Sequence, residues 1–285
     1  MGIRQELELV AKLAGVAPGE IELYDSGFLS RGYVIDGGRI VFKFPKYDFV
    51  KYDNEAKVVN YLNTLDLGVG LQRVRYLSED CKVIGFDGVR GTPLSELALS
   101  TGQKWQVAKV LAAYLKKLHA VKMQTDVVKP PSVMIAQWQE EYNNSKDFFA
   151  EHFTKEECAE IDRLMMSHMP SALENLGENL VFCHSDFAEH NIFIDANGEV
   201  GVIDFDGSGY YDEAIDFFVL KDDALLDMVL DEYKASDTLR RKADLTSTIR
   251  TFAYVKNISE QQGESAKQYF IQKIRRRLQG SEIVK

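Results

Sequence analysis

The chain has 285 residues, of which 45% are hydrophobic, and a formal net charge of −10 at pH 7. This length is enough for one large core or for two lobes. The negative balance argues against broad binding to nucleic-acid backbones, because such binding depends on many contacts from Lys and Arg to phosphate. No apolar run reaches 18 residues and the three cysteines are far apart, so we expect a cytoplasmic protein without a membrane anchor or disulfides.

The first part of the chain shows β-strand patterns interrupted by one helix. Asp36-Gly37-Gly38 separates two β-type runs and predicts a hairpin whose turn has positive φ angles. Asp53 or Asn54 can cap a helix whose apolar residues fall on one face. We therefore predict a β-rich N-terminal lobe over residues 1–88. Its expected elements are a first helix within residues 1–16, strands at 27–35, 39–44, 73–77 and 82–86, and a helix at 54–65.

Long helices dominate the remainder, which we predict to be a larger C-terminal lobe over residues 89–285. A Gly- and Pro-containing stretch at 85–93 is expected to connect the two lobes. A helical insert is predicted at about 126–178, and three helical patterns follow after about Glu213. Between them, Ala196-Asn197-Gly198-Glu199 joins two short β-runs, and its Asn-Gly pair predicts a hairpin with a type I′ turn. The predicted fold class is α+β.

The residues that flank this central hairpin are the most informative in the chain. His184-Ser185-Asp186-Phe187-Ala188-Glu189-His190-Asn191 has the spacing His-x-Asp-x4-Asn, and Ile203-Asp204-Phe205 follows the second strand. A loop that enters a hairpin presents Asp186 and Asn191 on one side, and the end of the hairpin returns Asp204 to the same neighbourhood. Phosphoryl transfer needs a carboxylate that accepts a proton and oxygen ligands for Mg²⁺. We therefore predict Asp186 as the base, Asn191 and Asp204 as Mg²⁺ ligands, and His184 as a hydrogen-bonding support.

This arrangement resembles the catalytic core of the bilobal protein-kinase-like fold, and specifically the aminoglycoside phosphotransferase family of small-molecule kinases. Protein kinases of eukaryotes have Arg after the histidine and Gly after Asp-Phe, whereas this chain has Ser185 and Asp206. The resemblance covers about residues 27–218. Downstream, Asp212-Glu213-Ala214-Ile215-Asp216 is similar to the family's Asp-Pro-x-x-Asp element, with Glu213 in place of proline. The resemblance implies that Asp216 is a buried support of the catalytic loop.

The resemblance also implies nucleotide-binding residues in the N-terminal lobe. Lys43 would hold phosphate and Glu55 would be its partner, and the string Phe42-Lys43-Phe44-Pro45-Lys46 is similar to that of the 2″-type aminoglycoside phosphotransferases. Residues 26–32 would contact phosphate through backbone N–H groups, and residues 85–91 would form the hinge that reads the base. With ATP or GTP as donor and Mg²⁺ as metal, the candidate nucleotide-binding residues are Ser26, Gly27, Ser30, Lys43, Glu55, Phe86 and Gly88.

Acidic residues that follow the catalytic hairpin bear on the acceptor. They are either solvated helix faces or a negative surface that attracts a polycation such as an aminoglycoside. The candidate acceptor-binding residues are Asp212, Glu213, Asp222 and Asp223. We take as working hypothesis a monomeric kinase for an aminoglycoside-like antibiotic, without nucleic-acid or membrane partners. A kinase for a macrolide, choline, a sugar or another metabolite, and a pseudokinase-like module that only binds nucleotide, are the alternatives.

Overall fold

The structure is a computed structural model and describes residues 2–25, 27, 29–217, 220 and 222–279. The chain divides into two compact units, each assembled from several stretches of sequence. The first unit comprises Met1–Thr125, His184–Ser208 and Leu220–Tyr233, and the second comprises Asp126–Cys183, Gly209–Val219 and Lys234–Lys285. The predicted lobe boundary between residues 88 and 89 stays a prediction.

Within the described residues, the strands form three sheets. In chain order they are β1 (Ile21–Tyr24), β2 (Ser30–Ile35), β3 (Ile40–Pro45), β4 (Gly70–Leu71), β5 (Arg73–Leu77), β6 (Ile84–Asp87), β7 (Thr92–Pro93), β8 (Val128–Lys129), β9 (Leu180–Cys183), β10 (Ile192–Ile194), β11 (Val200–Val202) and β12 (Gly209–Asp212). The first unit contains an antiparallel sheet in the order β1-β2-β3-β6-β5 and a smaller sheet in the order β4-β11-β10-β7. The second unit contains the sheet β8-β12-β9.

Strand β3 positions the predicted phosphate-binding lysine by simple alternation. Asp36, Gly37 and Gly38, with φ angles of 52°, 59° and 93°, make the predicted tight turn between β2 and β3. Along β3, Ile40, Phe42 and Phe44 are buried in one hydrophobic cluster with Val10 and Tyr33. Because side chains alternate between the faces of a strand, Lys43 lies on the opposite face from this cluster.

The helices lie in both units. In chain order they are α1 (Ile3–Ala14), α2 (Asp53–Leu62), α3 (Thr101–His119), α4 (Pro131–Asn144), α5 (Lys146–His152), α6 (Lys155–Arg163), α7 (Met169–Asn175), α8 (Asp223–Tyr233), α9 (Asp237–Gln262) and α10 (Glu264–Gln279). Ser100 caps α3, since its hydroxyl accepts from the N–H of Gln103. Trp105, near the start of α3, is 43% exposed, and the ammonium group of Lys109 lies over its indole ring.

The second unit has its own hydrophobic core, built mainly from α4, α9, α10 and the helices between β8 and β9. Several aromatic residues of the helices between β8 and β9 are buried there. They include Tyr142, Phe148, Phe149 and Phe153. Within the described part of the chain, no helix is both long and apolar enough to cross a membrane.

Candidate active site

Lys43 connects two carboxylates that come from distant parts of the sequence. Its Nζ lies 2.8 Å from Oε1 of Glu55, in the first turn of α2, and 2.7 Å from Oδ1 of Asp204, just after β11. Burial by itself lowers the pKa of Lys43, but the charges of Asp204 and Glu55 outweigh it and hold this pKa well above its usual value. The lysine therefore carries a stable positive charge inside the first unit.

The two partners of Lys43 respond to burial in opposite ways. Burial raises the pKa of Glu55 in spite of the neighbouring ammonium group, because its side chain is only 1% exposed. At Asp204 burial acts in the same direction, but the charge of Lys43 and its hydrogen bond prevail and lower the pKa of Asp204. Asp204 is thus held as a carboxylate, the form that can bind a cation.

The segment from His184 to Asn191 is organised by its own hydrogen bonds. His184 is fully buried, and its Nε2 lies 2.9 Å from the carbonyl oxygen of Ile203 while Nδ1 accepts from the N–H of Asp186 at 3.3 Å. A neutral imidazole with its hydrogen on Nε2 satisfies both contacts. Asn191 donates through Nδ2 to the backbone oxygen and to Oδ2 of Asp186, at 3.0 and 3.2 Å. These bonds fix the carboxylate of Asp186 relative to Asn191.

Two residues of this site adopt left-handed backbone conformations that are unusual for non-glycine residues. Ser185 has a φ of 71° and Asp204 a φ of 70°. The room for Ser185 depends on Gly207, since a Cβ at that glycine would lie 2.6 Å from the Ser185 hydroxyl oxygen. Strained backbone of this kind concentrates at functional sites because the surrounding contacts must hold it. Here the hydrogen bonds of His184 hold the neighbours of both residues, Asp186 after Ser185 and Ile203 before Asp204.

Negative charge is in excess around Lys43. Asp206 is exposed, yet the protein atoms that crowd around its carboxyl group, and then the charge of Asp204, raise the pKa of Asp206 to about 7. Glu55 and Asp186 act in the same direction, and Lys43 acts against them. One ammonium group is therefore too little to balance the carboxylates that surround it.

The predicted nucleotide loop is partly described. Ser26 lies outside the described residues. Gly27 is exposed, and a Cβ on it would lie 2.5 Å from the carbonyl oxygen of Ser30, so a side chain there would collide with the loop. The hydroxyl of Ser30 accepts a hydrogen bond of 2.7 Å from the hydroxyl of Tyr52.

The predicted hinge residues Phe86 and Gly88 lie in β6 and directly after it. Phe86 is buried, its backbone pairs with Val41, and the Lys43 ammonium lies 5.6 Å from the centre of its ring. Gly88 donates its N–H to the carbonyl of Arg39 at 2.9 Å. This N–H is thus used within the sheet, and the base-reading role of Phe86 and Gly88 stays a prediction.

Two of the four predicted acceptor-binding carboxylates are paired with lysines. In the second unit, Asp212 lies 2.7 Å from Nζ of Lys242, a buried pair. In the first unit, Asp222 lies 2.5 Å from Nζ of Lys104. The other two are Glu213, which is half-buried in the second unit, and Asp223, which is exposed in the first. Asp216, the predicted support of the catalytic loop, is fully buried in the second unit.

Gln72 is a residue of this site that sequence reasoning missed. It follows β4, is 4% exposed, and its amide contacts both Glu55 and the backbone of Asp204. A single glutamine beside a two-residue strand carries no recognisable sequence signal. The buried pairing of Lys242 with Asp212 was also missed, because the two residues are far apart in sequence and Lys242 belongs to a largely polar helix.

Comparisons with known proteins give the family and the fold. Residues 20–245 match the family described as the phosphotransferase enzyme family. The GDP and kanamycin complex of APH(2″)-IIia is similar in structure, with a TM-score of 0.77 at 16% identity over 98% of this chain and 100% of that one. The gentamicin complex of APH(2″)-IIa has a TM-score of 0.73 at 19% identity over 96% of each chain. A choline kinase from Cryptosporidium parvum has a TM-score of 0.60 at 16% identity over 98% of this chain and 95% of that one.

These likenesses confirm the predicted fold class, a protein-kinase-like fold with a β-rich N-terminal region and a helical C-terminal part. The family match spans more than half of the sequence and includes Lys43, Glu55, Asp186, Asn191 and Asp204. It also confirms the predicted enzyme class, a phosphotransferase with an alcohol group as acceptor. The chain belongs to the phosphotransferase enzyme family and is a small-molecule kinase.

Proposed function

We propose that this chain transfers the γ-phosphate of ATP or GTP to a hydroxyl group of a cationic, aminoglycoside-like acceptor. The observation that carries the proposal is the position of Lys43, whose Nζ contacts both Glu55 and Asp204 at 2.8 and 2.7 Å. An ammonium group has three donors, and these carboxylates accept two of them. The third is available for a phosphate oxygen, and residues 1–88 would then form the nucleotide-binding lobe.

The side chains available for Mg²⁺ fit that ion. Asn191 uses its amide nitrogen on Asp186, which leaves the amide oxygen as its free ligand atom, and Asp204 uses only Oδ1 on Lys43. Oxygen ligands are those that Mg²⁺ prefers. The carboxylates of Glu55, Asp204 and Asp206 surround a single ammonium group, that of Lys43, and a divalent cation would balance this excess of negative charge. Bound there, Mg²⁺ would neutralise charge on the phosphate oxygens.

The protein's own groups can then carry out the proton step. Asp186 would accept the proton of the acceptor hydroxyl and orient its oxygen toward the γ-phosphorus. Asn191 holds the Asp186 carboxylate at 3.2 Å, and His184 accepts from the backbone N–H of Asp186. Lys43, kept charged by its partners, would hold the phosphate in line. His184 acts as a support and not as a base, since both of its ring nitrogens are used by the backbone.

The aminoglycoside part of the proposal rests on charge and on similarity of fold. The chain has an excess of 10 negative charges, and structurally similar proteins have been seen with kanamycin and gentamicin. Among the predicted acceptor-binding carboxylates, Asp222 is already neutralised by Lys104. Asp223, at the start of α8, is exposed and lies in the same unit as Asp186. We therefore expect Asp223 to attract the cationic acceptor.

Nucleotide consumption measured in a coupled assay tests this proposal. Purified protein with Mg²⁺ and either ATP or GTP is mixed in turn with kanamycin-type aminoglycosides, a macrolide, choline and simple sugars. The proposal predicts stimulation by aminoglycosides. Stimulation by choline, a macrolide or a sugar alone would assign another acceptor to the same site. Nucleotide binding without turnover on any acceptor would contradict catalysis and favour a nucleotide-binding module.

Paired variants on helix α8 test the acceptor contact. Asp223→Asn should raise the KM for a cationic acceptor about 2- to 5-fold with kcat unchanged, which corresponds to about 0.4–1 kcal/mol, within the range for an exposed charge pair. Asp227→Asn makes the same change in net charge one turn further along α8, and Asp227 is also exposed. It should leave this KM within about 1.5-fold of that of the unaltered protein. Equal effects of the two variants would contradict a specific role for Asp223.

A further inference from the structure

Gln72 occupies a junction between the two partners of Lys43. The parallel pairing of β4 with β11 sets Leu71 opposite Val202, so that Gln72, the next residue, lies beside the segment that leads into Asp204. Its backbone carbonyl accepts a hydrogen bond of 2.9 Å from Nδ2 of Asn63, the residue that ends α2. The residue is therefore attached both to α2 and to the strand before Asp204.

The side-chain amide of Gln72 uses both of its ends. Its Nε2 donates to Oε1 of Glu55 at 3.0 Å, and its Oε1 accepts from the backbone N–H of Asp204 at 3.4 Å. The reverse orientation of the amide would set oxygen against oxygen and N–H against N–H, so these two contacts fix its direction. A carboxylate, a hydrocarbon or an ammonium group of similar size cannot make both bonds.

The Gln72 contact determines which oxygen of Glu55 faces Lys43. Both Lys43 and Gln72 donate to Oε1, whereas Oε2 is buried and has no hydrogen-bond partner among the residues that the structure describes. Two donors on the same oxygen restrain the orientation of this buried carboxylate more than one donor does. Gln72 provides this second donor, and at its other end it holds the left-handed backbone of Asp204.

We propose that Gln72 is a positioning residue for phosphoryl transfer, coupling the carboxylate of Glu55 to the backbone of Asp204 so that Lys43 and Asp204 keep their relative position. This inference rests on the proposed function, because the step it serves is the transfer of phosphate. Gln72 acts through Glu55 and Asp204 and touches no reacting atom. Outer partners of this kind typically change metal affinity or activity by about 10- to 100-fold when they are removed.

The test compares Gln72→Met with Asn63→Ala. Gln72→Met keeps the size of the side chain and removes both amide bonds, whereas Asn63→Ala removes the bond to the backbone of residue 72 and keeps the amide bridge. We expect Gln72→Met to lower kcat about 10- to 100-fold, to leave the KM for nucleotide within about 3-fold, and to raise the Mg²⁺ concentration needed for half-maximal rate. Asn63→Ala should keep kcat within about 2-fold.

A double-variant cycle shows whether Gln72 acts through Glu55. If it does, Gln72→Met should slow the Glu55→Gln protein far less than it slows the unaltered one, because coupled residues are not additive. Full additivity of the two losses would overturn the coupling. So would a Gln72→Met protein with unchanged kcat and unchanged Mg²⁺ dependence.

A second readout separates this inference from the proposed function. The rise in the thermal midpoint of unfolding is measured with ATP alone and with ATP and Mg²⁺, which needs no acceptor. The extra rise due to Mg²⁺ should shrink in Gln72→Met and persist in Asn63→Ala. An undiminished Mg²⁺ effect in Gln72→Met would overturn the positioning role even if transfer to an acceptor is observed. Absence of transfer with a diminished Mg²⁺ effect would overturn only the proposed function.

Discussion

Replacing Lys43 with Met should destabilise the protein, and the loss should depend on pH. The substitution keeps most of the side-chain length and removes the ammonium group that lies 2.8 Å from Glu55 and 2.7 Å from Asp204. Glu55 Oε1 then keeps one hydrogen-bond partner among the described residues, the amide of Gln72 at 3.0 Å. Its second oxygen already has no partner among the described residues.

The size of the loss follows from the burial of Glu55. Removing one partner of a buried ion pair costs about 3–5 kcal/mol, because the other charge stays buried. Burial already raises the pKa of Glu55, and without the ammonium group this pKa rises further. When folding raises the pKa of a carboxyl group, the folded protein becomes more stable as the pH falls from the folded-state pKa toward the unfolded-state pKa. Each pH unit below the folded pKa is worth up to about 1.4 kcal/mol.

Urea unfolding at pH 8 and at pH 5.5 measures this difference. Lys43→Met should lose about 3–5 kcal/mol at pH 8 and clearly less at pH 5.5. Lys43→Met combined with Glu55→Gln should recover part of the loss at pH 8. The matched control is Lys46→Met. Nζ of Lys46 lies 2.9 Å from Oδ1 of Asp25, which is exposed, so this variant should lose no more than about 1 kcal/mol of stability. A loss for Lys43→Met below about 1 kcal/mol at pH 8, or one equal at both pH values, would refute the reasoning.

Two further substitutions test the scaffold. Glu6→Ala removes the buried carboxylate that lies 2.6 Å from the guanidinium of Arg31, and should cost about 3–5 kcal/mol at pH 7 in urea unfolding. Burial opposes ionisation of Glu6, but the hydrogen bonds from Arg31 prevail and lower the pKa of Glu6. The ionised Glu6 therefore stabilises the fold above its unfolded-state pKa, and this contribution is lost as the pH falls through its folded-state pKa. The variant and the unaltered protein should therefore converge in acid, and parallel curves would contradict the assignment. In Gly88→Ala the new Cβ would collide with the carbonyl oxygen of Gly38, so the thermal midpoint should fall by several degrees. Gly19→Ala, where a Cβ meets nothing within 4 Å, should leave the midpoint unchanged. Equal midpoints would contradict the close approach.

Much of the fold could be predicted because local patterns determine it. Asp36-Gly37-Gly38 allows positive φ angles and produced the expected turn, and the alternation along β3 put Lys43 on the face opposite the hydrophobic cluster. His184, Asp186 and Asn191 could be predicted as one group, because a single loop carries all three residues. Its hydrogen bonds now show how that loop holds its shape.

What could not be predicted depends on contacts between distant segments. Gln72 meets Glu55 and Asp204 only because β4 pairs with β11, and two-residue strands leave no periodic pattern to read. The acidic residues after the catalytic hairpin could be counted but not paired. The structure shows that Asp212 and Asp222 each have a lysine partner, so their charges are less available to an acceptor than the sequence suggested.

The central claim is that Asp186 acts as the base in phosphate transfer to a hydroxyl group. The most direct test is the rate of transfer to a kanamycin-type acceptor in Asp186→Asn, measured beside nucleotide affinity. Glu199→Gln serves as control because it also removes one negative charge, at an exposed residue of the hairpin that follows Asp186. The account predicts that Asp186→Asn lowers the rate by about 10²–10⁴-fold with nucleotide affinity nearly kept, and that the control keeps both. Transfer at an unchanged rate in Asp186→Asn would contradict it.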